Sequence, residues 1–217
     1  MTLLQVSNEN FYKPLTRPVV SETATKVITI INALFTNGLI DKMTHKWLSL
    51  GQNPPRIPEF YSLTKIHKVI PVSRPIVAGS GGPTERISSF VDSRPQPIAQ
   101  KQASYIKDTT LFINFIRKHA TPTAEAAILA TLDVCPLYTN IPQEEGIEIV
   151  CRFYKEHYQP VLPIPTQFLG DLMRLILAEN SFKFNDKHYL QTVGIEMGTK
   201  MAVAFSVTFM AHIEKQL

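Results

Sequence analysis

The sequence predicts an α+β fold in which an antiparallel sheet is packed on one face by helices. Two β-hairpin patterns lie far apart in the chain, and amphipathic helical patterns fill the sequence between and after them. A further unit joins the apolar run 128–134 to a helix started by a proline. With 217 residues, 44% of them hydrophobic, the chain is long enough to bury a core.

The front half is predicted to hold four helices and one hairpin. The elements are helices at 21–38 and 39–50, strands at 59–66 and 73–78, and helices at 84–91 and 104–119. Ser21 is the expected N-cap of the first helix and Gly38 its stop. The inward-facing side chains are expected to be Val27, Ile30, Ile31 and Leu34 in the first helix and Ile106, Phe112, Phe115 and Ile116 in the last.

The back half begins with the predicted strand-turn-helix unit. Its elements are a strand at 128–134, helices at 142–158 and 166–178, a hairpin at 181–193 and a helix at 198–217. Glu144 and Glu145 suit the first turn of their helix, because carboxylates favour the positive end of the helix dipole. In the last helix, apolar side chains recur every fourth residue, at Met201, Phe205, Phe209 and Ile213.

Charge is divided unevenly along the chain. Residues 1–120 carry 15 basic and 7 acidic side chains, a net charge of +8, whereas residues 121–217 carry 7 basic and 11 acidic ones, a net charge of −4. This division fits a polyanion-binding region joined to a cation-binding region, and solvated surfaces produce similar asymmetry.

Composition also narrows the compartment and the metal chemistry. Cys135 and Cys151 have no C-x-x-C spacing, so reduced thiols are expected rather than a zinc site or a disulfide framework, and any metal should have oxygen ligands. No signal-peptide pattern and no apolar run long enough to cross a bilayer occur. An intracellular protein of the nucleus or cytoplasm, without a membrane partner, is therefore expected.

The front hairpin gathers basic side chains. If its strands pair, Lys65, Lys68 and Arg74 come near one another. Arginine forks onto phosphate oxygens and lysine acts as a point charge, so a triphosphate or a nucleic-acid backbone would be the natural partner. The alternative is that exposed cations merely keep the hairpin soluble.

Two positions in the back half could serve a nucleotide. Asp133 ends an apolar strand-like run, where a carboxylate can hold Mg²⁺ against a triphosphate, and Tyr138 follows where it can wall the sugar. An aspartate before such a helix is also a common cap. Gly198 lies at a predicted loop-to-helix junction, where the lack of a side chain would let a base approach the backbone. The alternative is that Gly198 is simply the first residue of a helix.

These segments together resemble the reverse transcriptases of Penelope-like retroelements. The residues that carry the resemblance are 58–68 (PEFYSLTKIHK), 74–79 (RPIVAG), 87–92 (ISSFVD), 130–142 (ATLDVCPLYTNIP) and 191–214, which includes MGTKMA. The resemblance implies an N-terminal helical connector (1–57), a fingers-like region with the basic hairpin (58–122) and a partial palm (123–217) that is incomplete at the C-terminus.

The resemblance also implies roles for single residues. Asp133 would be the metal-binding carboxylate, the Val134 carbonyl a further ligand, and Tyr138 the side chain under the deoxyribose. Lys65 and Arg74 would hold the triphosphate and Gly198 would shape the base-pair pocket. The implied reaction is templated nucleotidyl transfer with two Mg²⁺ ions, from deoxynucleoside triphosphates on an RNA template and a DNA primer.

Catalysis by this chain alone is not expected, because such polymerases take further carboxylates from an Asp-Asp hairpin and the sequence contains no Asp-Asp pair. The leading hypothesis is therefore a reverse-transcriptase domain fragment that does not polymerise by itself. Two alternatives remain open: a non-catalytic RNA- or DNA-binding remnant that uses the basic front half, and a degenerate product without function.

Overall fold

The computed structural model describes residues 6–50, 54–65, 72–119 and 133–216. Within them lie strands β1 (Tyr12–Leu15), β2 (Glu59–Lys65), β3 (Val72–Ala78), β4 (Ser181–Phe184) and β5 (Lys187–Gln191). The helices are α1 (Val20–Thr36), α2 (Lys42–Ser49), α3 (Glu85–Asp92), α4 (Gln96–Gln100), α5 (Thr109–His119), α6 (Leu137–Asn140), α7 (Gln143–Tyr158), α8 (Thr166–Ala178) and α9 (Ala202–Glu214). The α+β class is confirmed.

The five strands form one sheet in the order β1-β5-β4-β2-β3. Three neighbouring pairs are antiparallel, but β2 and β4 are parallel, with Glu59 opposite Lys183 and the Lys183 amide donating to Pro58 O at 2.8 Å. The prediction of an antiparallel sheet is therefore wrong for this pair, and the sheet is mixed. Parallel pairing needs a long connection, which the helices between β2 and β4 provide.

The sheet draws strands from all three predicted segments. β1 comes from residues 1–57, β2 and β3 from 58–122, and β4 and β5 from 123–217. β1 was not predicted, because its four residues include Pro14 and its pairing with β5 is made by residues far away in the chain. The three segments therefore contribute strands to the same sheet.

Both predicted hairpins are confirmed. β2 and β3 pair antiparallel along their whole length, from Glu59 opposite Ala78 to Lys65 opposite Val72. β4 and β5 are joined by Asn185 and Asp186, whose φ angles of 46° and 59° give the left-handed two-residue turn that matches strand twist.

Among the described residues, the buried apolar side chains form two clusters. The larger cluster lies among the helices and includes Val27 and Leu34 of α1, Met173 of α8 and Phe205 of α9. The smaller one lies on the sheet and joins Val6, Tyr12, Phe60, Val77 and Phe182. Most members of the smaller cluster come from the strands, so an aromatic cluster belongs to the sheet itself.

Several helix boundaries differ from the predictions: α2 begins at Lys42 rather than at Leu39, and α5 begins at Thr109 rather than at Ser104. α1 begins at Val20 with Val19 as its cap and no side-chain cap bond, so Ser21 is not the N-cap. α9 begins at Ala202 rather than at Gly198. Gly38 does end α1, with a φ of 68°. Before α9 the backbone is held by residues distant in sequence, since the Val77 amide donates to Met197 O and the Met201 amide donates to Ser88 Oγ.

α5 corrects another prediction. Ile106, Phe112, Phe115 and Ile116 were expected to face inward, yet their exposed fractions lie between 44% and 56%, and no residue of α5 is buried. The apolar pattern predicts the helix but does not determine whether another element covers it.

Part of the predicted strand 128–134 lies outside the described residues, as do His67 and Lys68. Asp133 and Val134, its described end, are not in a strand. None of the described helices is long and apolar enough to cross a membrane.

Candidate nucleotide and nucleic-acid site

The basic hairpin presents Lys65 and Arg74 on one face. In the β2–β3 register Lys65 lies opposite Val72, and Arg74 lies opposite Leu63. The two cations are therefore diagonal neighbours on one face of the hairpin. Diagonal neighbours on paired strands are about 7–8 Å apart. Arg74 is exposed and Lys65 half-buried. Neither makes an ion pair with a described carboxylate. This face therefore carries positive charge available to an anion.

The other face of the same hairpin anchors it to the sheet. Phe60 and Val77 alternate with the residues of the exposed face and are buried in the aromatic cluster. The Phe60 ring stacks on Phe182 with centroids 5.3 Å apart. Because side chains alternate across a strand, this burial fixes the outward direction of Lys65 and Arg74.

Residues 194–198, called here the bridging segment, connect this hairpin to α6. The Ile195 amide donates to Tyr138 O at 2.7 Å, and Gln143 Nε2 donates to Gly194 O at 2.8 Å. Gly194 has a φ of +71°, and a Cβ there would lie 2.5 Å from Tyr138 O. Only glycine permits this approach.

At its other end the bridging segment is bonded to β3. The Val77 amide donates to Met197 O at 2.9 Å. Gly198 has a φ of +132°, and a Cβ there would lie 2.0 Å from Val77 O. The backbone of Val77 therefore occupies the space that a side chain at position 198 would take. A role for Gly198 toward a base stays a prediction.

A small cavity lies beside Gly198. It measures about 10 Å³ and is lined by Gly79, Ser80, Thr84, Glu85, Gly198, Thr199 and Lys200. That volume suits about one water molecule rather than a nucleobase. A nucleotide would therefore have to bind on the surface of this region.

Sequence reasoning missed Glu196, the buried carboxyl group of the bridging segment. Only 4% of Glu196 is exposed, and burial raises its pKa to about 8. The Asn180 amide nitrogen donates to Glu196 Oε2 at 2.9 Å and to Ile176 O at 2.6 Å. Burial, and secondarily the charge of Glu196, raise the pKa of Tyr12 to about 12. The one signal in the sequence is a lone carboxylate in the apolar run 193–197.

Tyr138 and Asp133 have different surroundings. Tyr138 is partly buried and packs against the helical cluster. Asp133 is exposed, and Cys135 Sγ donates to its Oδ2 at 3.4 Å. The hydrogen bonds that join Tyr138 to the bridging segment and to β3 do not include Asp133. These hydrogen bonds thus join Tyr138, Gly198 and the strand of Arg74 into one unit. Asp133 precedes Tyr138 by five residues in the sequence.

The described residues do not by themselves fit a two-magnesium site. Among them, no group of three or more His, Cys, Asp or Glu side chains is arranged to hold a metal ion. Mg²⁺ prefers six oxygen ligands, and Asp133 with the Val134 carbonyl offers too few for two ions.

Comparison of the chain with known proteins gives no identification. No family model matches the sequence, and neither the curated proteins nor the solved structures contain a significant match. The function is therefore inferred from the residues and their arrangement.

Proposed function

We propose that the chain is a reverse-transcriptase-like domain of Penelope type that binds nucleic acid and a nucleoside triphosphate on the exposed face of the β2–β3 hairpin. One observation carries the proposal: a strand with an unpaired Arg74 is bonded through the bridging segment to the turn that holds Tyr138. The partners proposed are an RNA template, a DNA primer and deoxynucleoside triphosphates.

The exposed hairpin face has the composition of a single-strand binding surface. Tyr61 and Leu63 are exposed on the same side as Lys65 and Arg74. Aromatic rings stack on bases, and cations neutralise phosphates, without requiring a particular sequence. Glu59, at the far end of the face, is the one acidic residue of the described hairpin.

A role for Asp133 in catalysis belongs to the same proposal. Asp133, with the Val134 carbonyl, would hold Mg²⁺ as part of a larger ligand set, and the ion would supply Lewis-acid chemistry for nucleotidyl transfer. Asp133 is exposed and so accessible to such an ion. Catalysis requires carboxylates in addition to Asp133, whereas binding of nucleic acid does not. A non-catalytic nucleic-acid binder is therefore the second candidate, favoured by the unpaired cations of the hairpin.

Binding of single-stranded RNA is expected to fall about tenfold in the double variant Lys65→Ala/Arg74→Ala, with a shallower dependence on salt, because each lost phosphate contact lowers the salt slope by about 0.7. Fluorescence anisotropy of a labelled oligonucleotide between low and physiological salt measures both effects. Lys155→Ala/Lys187→Ala is the matched control, since both lysines are exposed and removed from the hairpin face. Equal losses in the two double variants, or binding insensitive to salt, would contradict the proposal.

Primer extension separates the two candidates. The chain is mixed with an RNA template, an annealed DNA primer, deoxynucleoside triphosphates and Mg²⁺. If Asp133 is a catalytic ligand, any extension is abolished by Asp133→Ala while RNA binding is retained, because Asp133 lies outside the cationic face. Extension that persists in Asp133→Ala would remove Asp133 from the metal site. No extension with specific RNA binding would favour the non-catalytic candidate.

A further inference from the structure

We propose that the outer side of α2 is a docking surface for an acidic amphipathic helix of a protein partner. The surface, called here the Trp47 surface, consists of Lys42, Met43, Lys46, Trp47 and Leu50. It is separate from the residues used in the proposed nucleotide and nucleic-acid site.

α2 exposes most of its large apolar side chains. Met43, Trp47 and Leu50 follow one another at i, i+4 and i+7, so they form a single stripe along the helix. Their exposed fractions are 76%, 41% and 60%, while Leu48 is the one buried residue of α2. Large contiguous apolar patches on a protein surface mark interaction sites.

Trp47 is held in place before any partner binds. Arg86 Nη1 donates to Trp47 O at 2.6 Å, and its guanidinium carbon lies 5.5 Å from the centroid of the indole ring. A preordered tryptophan loses little entropy on binding and is a frequent hot spot of protein interfaces.

The charge around the stripe is positive. A shallow concavity of about 670 Å³ runs along α2, and its lining residues are Lys42, Met43, His45, Lys46, Ser49 and Leu50. Neither lysine makes an ion pair with a described residue. Asp41, at the start of α2, is engaged as the helix cap: its side chain accepts from the Thr44 amide at 2.6 Å, and this bond lowers the pKa of Asp41. Asp41 keeps its negative charge, but Lys42 and Lys46 outnumber it, so this side of α2 is net positive and the complementary partner is acidic.

The side chains of the stripe favour a protein over a nucleic acid. Met43 and Leu50 have larger exposed fractions than Trp47 and have no ring on which a base could stack. Burying them requires apolar side chains, which a helix supplies at the same i, i+4, i+7 spacing. Glutamates flanking that partner stripe would meet Lys42 and Lys46.

The chain contains one tryptophan, so its fluorescence reports on this surface alone. The probe is a synthetic helical peptide of about 15 residues with leucines on one face and glutamates beside them. We expect a blue shift of Trp47 emission and a dissociation constant on the order of 1–100 μM. A scrambled peptide of the same composition, and a peptide with lysine for glutamate, should each bind at least tenfold more weakly.

Variants locate the binding on the Trp47 surface. Met43→Glu and Leu50→Glu should each weaken peptide binding at least tenfold, and both positions are exposed enough to leave the fold intact. Val161→Glu is the matched control, because Val161 is 78% exposed and lies between α7 and α8. Circular dichroism verifies folding of each variant.

Three outcomes would overturn the inference: no binding of the peptide, equal binding of the scrambled peptide, or equal weakening by Val161→Glu. A single-stranded oligonucleotide that shifts Trp47 emission in place of the peptide would also overturn it and assign the surface to nucleic acid. The peptide results do not depend on Lys65 or Arg74. The oligonucleotide is tested on the Lys65→Ala/Arg74→Ala variant, so that binding at the hairpin face is kept apart from binding at the Trp47 surface.

Discussion

Alanine at Gly194 or Gly198 is expected to destabilise the chain strongly, whereas alanine at Gly38 is expected to be tolerated. Gly194 and Gly38 have nearly the same φ, +71° and +68°, so they share the cost of placing a side chain in the left-handed region, about 1–2 kcal/mol. They differ in the room available for a Cβ atom. A Cβ at Gly194 would lie 2.5 Å from Tyr138 O and 2.6 Å from Thr139 Cα, whereas nothing lies within 4 Å of a Cβ at Gly38.

The difference between the two variants measures the backbone contact. Displacing the 138–139 backbone adds an overpacking cost, so Gly194→Ala should reduce the free energy of unfolding by about 3–5 kcal/mol in total. Gly198→Ala should be at least as severe, because its Cβ would lie 2.0 Å from Val77 O. Urea unfolding monitored by circular dichroism gives each value. If Gly194→Ala and Gly38→Ala lose the same stability, the contact between the bridging segment and α6 does not exist.

The second large effect is a dependence of stability on pH that disappears in Glu196→Gln. Burial raises the pKa of Glu196 from 4.5 to about 8 in the folded chain. Between these values the folded chain keeps a proton that the unfolded chain releases, so the free energy of unfolding falls as pH rises. The fall ends above the folded pKa and reaches up to about 4–5 kcal/mol, at about 1.4 kcal/mol per pH unit.

Glutamine is nearly isosteric with glutamic acid and cannot ionise. Its oxygen can still accept from the Asn180 amide, so Glu196→Gln should match the wild type near pH 5 and exceed it in stability near pH 9. Urea unfolding from pH 5 to 9 measures the difference between the two curves. Glu148→Gln is the control, because it removes a carboxylate from the exposed side of α7. Parallel curves for the wild type and Glu196→Gln would show that Glu196 is not buried as described.

Elements with a strong local pattern were predicted well. α8 occupies the predicted residues 166–178, because Pro165 starts it and its apolar spacing is regular. The β4–β5 hairpin was found around Asn185 and Asp186, residues that tolerate the left-handed region. In these elements, signals a few residues apart determine the backbone.

Elements that depend on distant neighbours were predicted poorly or not at all. β1 exists because it pairs with β5, and α5 shows an apolar pattern although no residue in it is buried. The mixed character of the sheet depends on the meeting of Glu59 and Lys183. A local pattern predicts an apolar side, whereas the long-range packing decides what covers it.

The candidate site divides in the same way. The grouping of Lys65 and Arg74 on one hairpin could be predicted, since the alternation of side chains along paired strands sets which residues share a face. The hydrogen bond from the Ile195 amide to Tyr138 O could not be predicted, and neither could the close contact of Gly198 with the Val77 backbone. Glu196 was missed because a carboxylate is seldom buried without a cation, and the composition of the chain does not indicate where that happens.

By itself, the sequence determined the α+β class, most helices and both hairpins, the division of charge, and the resemblance that named Asp133, Tyr138, Lys65, Arg74 and Gly198 as candidates. The tertiary structure alone decided the order of the sheet, the burial of Glu196, the exposure of α5 and the contacts of the bridging segment. The physical reason is the distance along the sequence over which each kind of interaction acts. Residue periodicity acts over a few positions, whereas Gln143 and Gly194, 51 positions apart, meet only when the whole chain has packed.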